Sequence, residues 1–183
     1  KNLNWNKKTV RTVVNAGFWL GDPDIDAVTR LATPIDVTGY KRNTNYALDK
    51  ETYSPFNSQN TAIHRDIVPI YFLVPDIGRF DDIWSSYIVE RITWQMNDYV
   101  SYGQPLVRQN RNEHDLWVDA YAEEMGTKMT TDFCHWLREI KLTKQTYLEC
   151  GMELFEKLKK YIDNLPNDEL PVKNRAYINH FID

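Results

Sequence analysis

The spacing of apolar residues changes several times along the first half of the chain. A β-branched run at residues 9–14 leads into a glycine-flanked segment at 17–20, which predicts a strand. Ile25, Val28 and Leu31 then fit a short helix that Pro34 ends. Residues 35–57 are polar and predict a loop with one short strand, followed by a brief strand at 60–63.

The second half is dominated by helical spacing. Apolar residues from Asp82 to about Met96 recur every three or four positions, which predicts a central helix with one buried face. Strand-like residues surround Gly103, and two long helical stretches follow at 114–140 and 143–165. Residues 166–171 read as a linker and 177–182 as a short terminal element. The pattern therefore predicts strands in the first half and mostly helices in the second.

Composition narrows the class of protein. With 183 residues, the chain is long enough for one domain with a real core. Its 22 Lys and Arg against 26 Asp and Glu give a net charge of −4, which argues against binding of nucleic acid or anionic membrane. No run predicts a membrane span. The start lacks an initiator Met and a signal-like apolar core, so we expect a segment of a longer protein.

The two cysteines indicate a compartment. Cys134 and Cys150 fall on predicted helices without the spacing of a metal site, so we expect reduced thiols and a cytoplasmic protein.

Two clusters of acidic residues occur where the pattern changes to helix. Asp81 and Asp82 follow Gly78, Arg79 and Phe80, and the run 22–26 contains three aspartates. One carboxylate per cluster is explained as a helix cap, and a capped helix with a solvated first turn is the simplest interpretation of either cluster. If the clusters converge, their repulsion requires a metal ion, a cationic side chain or a substrate hydroxyl between them. Together they predict one acidic cleft suited to sugar or phosphate chemistry.

A further polar segment carries positive charge. Arg108 and Arg111 lie in the run 108–112, directly after predicted strand residues, which makes this run a candidate phosphate contact.

Three blocks of sequence resemble a known family. Gly17-Phe18-Trp19-Leu20, Asp24-Ile25-Asp26-Ala27 and Gly78-Arg79-Phe80-Asp81-Asp82-Ile83-Trp84 occur in the order seen in the plant reversibly glycosylated polypeptides, which are UDP-arabinopyranose mutases. Arg42-Asn43-Thr44 with Tyr46, and Pro55, Asn60, Ala62 and Arg65, are similar to further family blocks. STELLO proteins and related glycosyltransferase-like sequences look similar in the same blocks.

The resemblance implies an α/β fold, specifically the C-terminal, acceptor-side part of a GT-A-like glycosyltransferase fold with a mixed sheet and long C-terminal helices. Residues 1–140 would form the acceptor and sugar side of the catalytic region, and residues 141–183 a helical extension of the same domain. It also implies a UDP-sugar, a carbohydrate or other hydroxyl acceptor, and Mn²⁺ or Mg²⁺ whose main ligands lie outside this chain. The resemblance also allows a membrane-peripheral or Golgi-associated location, and it allows the protein to form a homo-oligomer.

Two positions depart from the family pattern. Lys7 falls where family members carry the arginine used for self-glycosylation, and lysine lacks the guanidinium fork. Gln109 falls on a family histidine that can ligate a metal, and glutamine is a poorer ligand than imidazole. His114 is the candidate replacement, although a lone histidine in such a run is more often a surface residue.

The leading hypothesis is a nucleotide-sugar-dependent glycosyltransferase. Asp82 would be the base that takes the acceptor proton, and Asp81 would orient the acceptor or a metal-bound water. Arg79 would neutralise this pair or contact the diphosphate. The remaining substrate-binding candidates are Asp24 and Asp26 for sugar hydroxyls, Trp19 and Trp84 as walls, Arg108 and Arg111 for phosphate, and Asn60 by its match to the family.

Three alternatives accompany that hypothesis. The first is a UDP-sugar mutase. The second is a non-catalytic, glycosyltransferase-like assembly partner of a glycan synthase, which Lys7 and Gln109 favour. The third, a metal-dependent phosphohydrolase, is disfavoured because the chain lacks the His-rich ligand sets typical of such sites.

Overall fold

The computed structural model describes residues 7–40, 45–75 and 77–183. The family-like block Arg42-Asn43-Thr44 lies outside the described residues. Strands and helices alternate in the first part of the chain and helices fill the last third. The elements are β1 (Thr12–Gly21), α1 (Ala27–Ala32), β2 (Tyr46–Ala47), β3 (Thr61–Ile63), a 3₁₀ turn (Val68–Ile70), α2 (Asp81–Met96), β4 (Tyr99–Gln109), α3 (Leu116–Glu139), α4 (Tyr147–Asn164) and α5 (Val172–Ile182).

One mixed sheet organises the described part of the chain, with its four strands in the order β2-β4-β1-β3. The two long strands, β1 and β4, are parallel neighbours at its centre. The short strands β3 and β2 pair antiparallel with β1 and β4 respectively. The predicted α/β class is confirmed, and the open mixed sheet is consistent with part of a GT-A-like fold.

The central helix α2 differs from its prediction. Instead of one buried face, ten consecutive residues, 84–93, are buried. Helix α2 contacts β4, α3, α4 and the 3₁₀ turn, so apolar neighbours cover it on several sides. Its buried polar side chains are therefore bonded within the protein. Arg91 Nε, for example, donates to the carbonyl of Leu137 at 2.9 Å near the end of α3.

An aromatic cluster joins this helix to the C-terminal helices. The Trp84 ring stacks on Phe133 of α3 with ring centroids 4.4 Å apart, and Phe181 of α5 meets Trp84 edge-on at 5.4 Å. Leu154, Leu158 and Ile162 recur every four residues along α4 and form a fully buried stripe. The core is thus continuous across position 140, although the division at 140/141 stays a prediction.

The ends of several elements also differ from the sequence expectation. Strand β4 runs unbroken through Gly103 and includes Arg108 and Gln109, because its pairing with β1 extends to Gly21. Helix α5 begins at Val172, five residues before the predicted terminal element, with Pro171 at its N-cap.

The cysteines and the helices of the described residues bear on two expectations from composition, namely reduced thiols and the lack of a membrane span. Both cysteines are free and buried, as expected for thiols. Among the helices of the described part, none has the length and apolar character needed to cross a membrane.

Candidate functional site

The parallel pairing of β1 and β4 brings two polar loops to the same edge of the sheet. Gly21, the last residue of β1, lies beside Gln109, the last residue of β4, and the Asp22 amide donates to the Gln109 carbonyl at 3.1 Å. Gly21 has φ 81°, and a Cβ there would lie 2.6 Å from the Gln109 carbonyl oxygen, so only glycine fits. In α/β sheets, ligands bind outside the carboxyl ends of parallel strands.

Asp24, in the loop after β1, is surrounded by donors. Asn57 Nδ2 donates to Asp24 Oδ2 at 2.8 Å and Gln59 Nε2 donates to the same oxygen at 3.2 Å. Arg111, from the loop after β4, forms an ion pair with Asp24 Oδ1. The first acidic cluster is thus held between the β4 loop and a turn at residues 57–59.

The same turn holds the second acidic cluster. The Ser58 amide donates to Asp82 Oδ2 at 2.9 Å, and the Ser58 hydroxyl is 3.3 Å from that oxygen. Asn57 Oδ1 accepts from the Gln59 amide at 3.2 Å, so an Asx-type turn fixes these three residues. Because Asn57 and Ser58 are adjacent in sequence, the two predicted acidic clusters meet at one turn, which we call the 57–59 turn.

Burial changes the acidity of Asp82. Removal from water raises the pKa of Asp82, and the charge of Asp81 raises it further, against the hydrogen bonds from Ser58 that lower it. Asp81 Oδ1 accepts the Asp82 amide at 2.8 Å, which satisfies one of the free N–H groups in the first turn of α2, while Phe80 is the N-cap residue.

Tyr71 is a neighbour of this pair that the sequence did not reveal. Burial raises the pKa of Tyr71, with smaller contributions from Asp82 and Asp81. Its hydroxyl is buried without a hydrogen-bond partner among the described residues. An unpaired buried hydroxyl is costly, so this one is a candidate contact for a bound molecule.

A polar cavity of about 180 Å³ lies beside Arg111, between the first turns of α1 and α3. We call it the arginine cavity, because Arg30, Arg79 and Arg111 line it together with Asp22, Asp119 and Glu123. Arg79 Nε donates to Glu123 Oε1 at 3.0 Å, and its Nη1 lies 3.3 Å from Asp119 Oδ1. Glu123 Oε2 also accepts the Ala27 amide at 2.8 Å, which joins α3 to the start of α1.

Two predicted site residues, Trp84 and Arg79, have other partners in the structure. Trp84 is fully buried in the aromatic cluster, and its Nε1 donates to Thr130 at 3.0 Å, so it does not wall a sugar site. Arg79 is paired with Asp119 and Glu123, and it makes no ion pair with Asp81 or Asp82 within the described chain. The predicted role of Trp84 as a wall and that of Arg79 as the partner of Asp81 and Asp82 were wrong, because the sequence did not show that α3 packs against both residues. Contact of Arg79 with the diphosphate stays a prediction.

Asp26 serves as the N-cap of α1. Its carboxylate accepts from the Thr29 amide at 2.8 Å and from the Thr29 hydroxyl at 2.6 Å. Partial burial would raise the pKa of Asp26, but these hydrogen bonds outweigh it and lower the pKa. The simple interpretation of this carboxylate as a cap is confirmed.

Trp19 lies on β1, Arg108 lies near the end of β4, and Asn60 directly precedes β3. Asn60 Nδ2 donates to the Phe18 carbonyl at 2.9 Å and holds the turn to β1, so its amide already has a structural partner. Trp19 Nε1 is buried without an acceptor in the described part of the chain. Arg108 is exposed and has no carboxylate partner among the described residues.

His114 faces a carboxylate rather than a metal-like cluster. Its Nδ1 lies 3.4 Å from Asp119 Oδ2. Among the residues that the structure describes, no group of three or more His, Cys, Asp or Glu side chains could hold a metal ion. The described donors therefore do not fit a complete Mn²⁺ or Mg²⁺ site, because these ions require several oxygen ligands. Metal ligation by His114 stays a prediction.

Sequence comparison identifies the family to which this arrangement belongs. Residues 5–171 match the family described as reversibly glycosylated polypeptide. The chain belongs to the reversibly glycosylated polypeptide family. The resemblance seen in the three sequence blocks is thereby confirmed.

Three similar proteins from plants illustrate the relationship. UDP-arabinopyranose mutase 1 of Arabidopsis thaliana is 30% identical over 167 residues, which cover 84% of this chain and 45% of that protein. UDP-arabinopyranose mutase 2 of Arabidopsis thaliana is 29% identical, over 87% of this chain and 46% of its own length. UDP-arabinopyranose mutase 1 of Oryza sativa subsp. japonica is 26% identical over the same shares. The chain thus spans slightly less than half the length of these relatives.

Sequence reasoning missed several residues of this family member's candidate site. The 57–59 turn had a weak signal, since Asn, Ser and Gln together favour turns. Asp119 and Glu123 lie four residues apart on α3, which a sequence alone presents as a solvated helix face. Arg30 gave no signal, because its pairing with Asp22 depends on the short α1 folding back over the loop.

Proposed function

We propose that this chain supplies the sugar and acceptor side of the active site of a UDP-sugar enzyme, with UDP-sugar mutase as the leading activity. The observation that carries the proposal is the 57–59 turn, which holds Asp24 and Asp82 at one place. The relatives named UDP-arabinopyranose mutases support the ligand class. The proposed activity is compatible with a soluble protein and with a membrane-associated one.

The proposed chemistry requires one base. In a mutase, the bond between the anomeric carbon and UDP breaks, and another hydroxyl of the same sugar loses its proton and bonds to that carbon. The original bond between the anomeric carbon and the ring oxygen breaks, the freed oxygen takes up a proton, and UDP rejoins the anomeric carbon. In a glycosyltransferase, the attacking hydroxyl belongs to an acceptor instead. Asp82 would accept the proton in either case, and a carboxylate with a raised pKa is a better base near neutral pH.

Other residues would bind and orient the substrate. Arg108, at the end of β4, is an exposed guanidinium without a carboxylate partner in the described part, which suits it to the negative charge of the diphosphate. Asp24 would accept hydrogen bonds from sugar hydroxyls, and Trp19 would offer its unpaired Nε1. No step is assigned to a metal ion, because the described side chains do not form a site for one.

Glycosyl transfer is the second candidate. The departure at Lys7 concerns self-glycosylation, and this step is not needed for transfer to a separate acceptor. The two activities share Asp82 and differ in whether a second hydroxyl compound is consumed.

The test combines binding with turnover in the full chain. UDP-arabinopyranose and other UDP-sugars are titrated calorimetrically with and without Mn²⁺, and product formation is followed with and without acceptor sugars. We expect Asp82→Asn to lower turnover by at least about 100-fold, the usual contribution of a general base, with little change in UDP affinity. Asp132→Asn, an exposed substitution on α3, is the matched control.

Two results would redirect the proposal. Full turnover by Asp82→Asn would show that Asp82 is not the base. Binding of UDP-sugars by the wild type without any turnover would favour the non-catalytic assembly partner.

A further inference from the structure

We infer that the arginine cavity binds one neutral sugar ring, and not the diphosphate. This inference adds a sugar-binding subsite to the proposed function. It rests on the proposed function only in identifying the bound ring as the sugar of the substrate. The cavity lies at the carboxyl ends of β1 and β4, where α/β sheets bind ligands, and Arg111 joins it to the 57–59 turn through Asp24.

The size of the cavity selects a small ligand. Its volume is about 180 Å³. A cavity of about 150 Å³ accommodates a single benzene ring, whereas pockets for drug-sized molecules start at about 300 Å³. One six-membered ring therefore fits, and a complete nucleotide does not.

The charge of the cavity disfavours an anion. Each arginine of its described lining already faces a carboxylate: Arg30 faces Asp22, Arg79 faces Asp119 and Glu123, and Arg111 faces Asp24. A phosphate would have to displace these carboxylates or lie close to them, and like charges at short range are strongly unfavourable. A divalent cation meets the opposite problem, because three guanidinium groups line the same space.

The same pairing suits hydroxyl groups. Carboxylate oxygens accept a hydrogen bond from the O–H of a hydroxyl, and guanidinium N–H groups donate to the hydroxyl oxygen. Neighbouring acids and arginines therefore satisfy both the donor and the acceptor of a sugar hydroxyl. Arg111 Nε is buried without an acceptor among the described residues, which leaves a donor for the ligand. Ile25 and Leu116 add apolar surface for the C–H face of the ring.

The test uses free sugars and pyrophosphate as separate probes. Saturation-transfer NMR on the full chain measures binding of L-arabinose, D-xylose and D-glucose, while calorimetry measures binding of UDP and pyrophosphate. Asn112 is exposed and lines the cavity, so Asn112→Trp obstructs it without removing an ion pair. Glu113→Trp places the same bulk on the next exposed residue, outside the lining, and serves as the matched control.

We expect the wild type and Glu113→Trp to bind at least one sugar, and Asn112→Trp to lose that signal. Asp119→Asn should weaken sugar binding about tenfold or more, the loss typical of one hydrogen bond to a charged group. UDP affinity should stay within about twofold of the wild type in all variants, since the diphosphate binds elsewhere. Thermal unfolding checks that each variant is folded.

Three results are decisive. The inference would be overturned if the wild type bound none of the sugars at concentrations of about 0.1 M. It would also be overturned if the wild type bound pyrophosphate and Asn112→Trp abolished that binding. Sugar binding lost only in the cavity variants, in a chain that turns over no UDP-sugar, would support the cavity and contradict the proposed function.

Discussion

At the residue scale, α2 carries two carboxyl groups with raised pKa values and different surroundings. Asp82 lies at the first turn beside Asp81 and the 57–59 turn. Glu90 lies about two turns further on and is 3% exposed, where it accepts from the Tyr102 hydroxyl at 2.7 Å and the Ser54 amide at 3.2 Å. Asp82 faces the candidate site, whereas Glu90 joins α2 to β4 in the core.

Glu90 makes stability depend on pH. Burial raises the pKa of Glu90 from 4.5 to about 8, against opposing hydrogen bonds from Tyr102 and Ser54. The folded state therefore holds this proton more tightly than the unfolded state, so the contribution to stability is full below pH 4.5 and is lost as pH rises to about 8. We expect the free energy of unfolding to fall by at most about 1.4 kcal/mol per pH unit there.

Chemical denaturation between pH 5 and 8 measures this slope in the wild type and in Glu90→Gln. The amide is neutral at every pH, so the variant should show a flatter profile. Glu156→Gln, at an exposed position on α4, should retain the wild-type slope. Identical slopes for wild type and Glu90→Gln would mean that Glu90 does not titrate in this window.

Removing the Tyr71 hydroxyl tests whether this residue has a functional or a structural role. Because it is buried without a partner in the described chain, Tyr71→Phe should leave stability unchanged or raise it by about 1 kcal/mol. If the hydroxyl contacts substrate beside Asp82, turnover falls while the protein stays folded. Thermal unfolding and turnover measured on the same preparation distinguish these effects, and a stable variant with full turnover would assign Tyr71 to the core.

At the element scale, the start of α2 is positioned by close packing against α3. A Cβ at Gly126 would lie 2.2 Å from the Phe80 ring, so glycine lets Phe80 lie against the helix. Phe80 precedes Asp81 and follows Arg79, whose guanidinium is fixed by the same helix through Glu123. Helix α3 therefore positions both Phe80, at the start of α2, and Arg79, in the lining of the arginine cavity.

Gly126→Ala should destabilise the protein although alanine is the better helix former. Displacement of Phe80 should cost about 1–3 kcal/mol, the usual penalty for overpacking, and exceed the gain of about 1 kcal/mol in helix propensity. Thr127→Ala, exposed on the same helix, should be nearly neutral or stabilising. Denaturant unfolding measures both changes, and adding Phe80→Leu should recover part of the loss if the clash is the cause.

At the scale of the whole molecule, the C-terminal helices complete the core that begins in the first 140 residues. Phe181 meets Trp84 and Phe133, and Phe72 packs on Phe155 at 5.3 Å. Asp98, which is 3% exposed, accepts from Arg11 Nη1 at 2.8 Å and from the Tyr147 hydroxyl, so the start of β1 and α4 share one buried carboxylate.

This packing predicts a single unfolding transition. All six tryptophans lie before residue 140, and the fluorescence of five of them reports the first part of the chain, whereas Trp84 also contacts Phe181 of α5. Circular dichroism at 222 nm includes α4 and α5. The two signals should change at the same denaturant concentration. Separate transitions would show that residues 141–183 fold as an independent unit.

The sequence by itself determined the features that depend on neighbours along the chain. The helical spacing, the cap at Asp26, the buried stripe of α4 and the two acidic clusters follow from residues a few positions apart. Family membership was also readable from short blocks, because those residues occur in a fixed order.

Only the tertiary structure decided which distant residues share an environment. It placed Trp84 in the core, paired Arg79 with α3, and joined the two acidic clusters through the 57–59 turn. It also formed the arginine cavity from α1, α3 and the β4 loop. These contacts join residues more than 20 positions apart in the sequence, and they depend on how whole helices and strands pack together. The local spacing of apolar residues predicts each helix or strand, but it does not indicate which other element that helix or strand packs against.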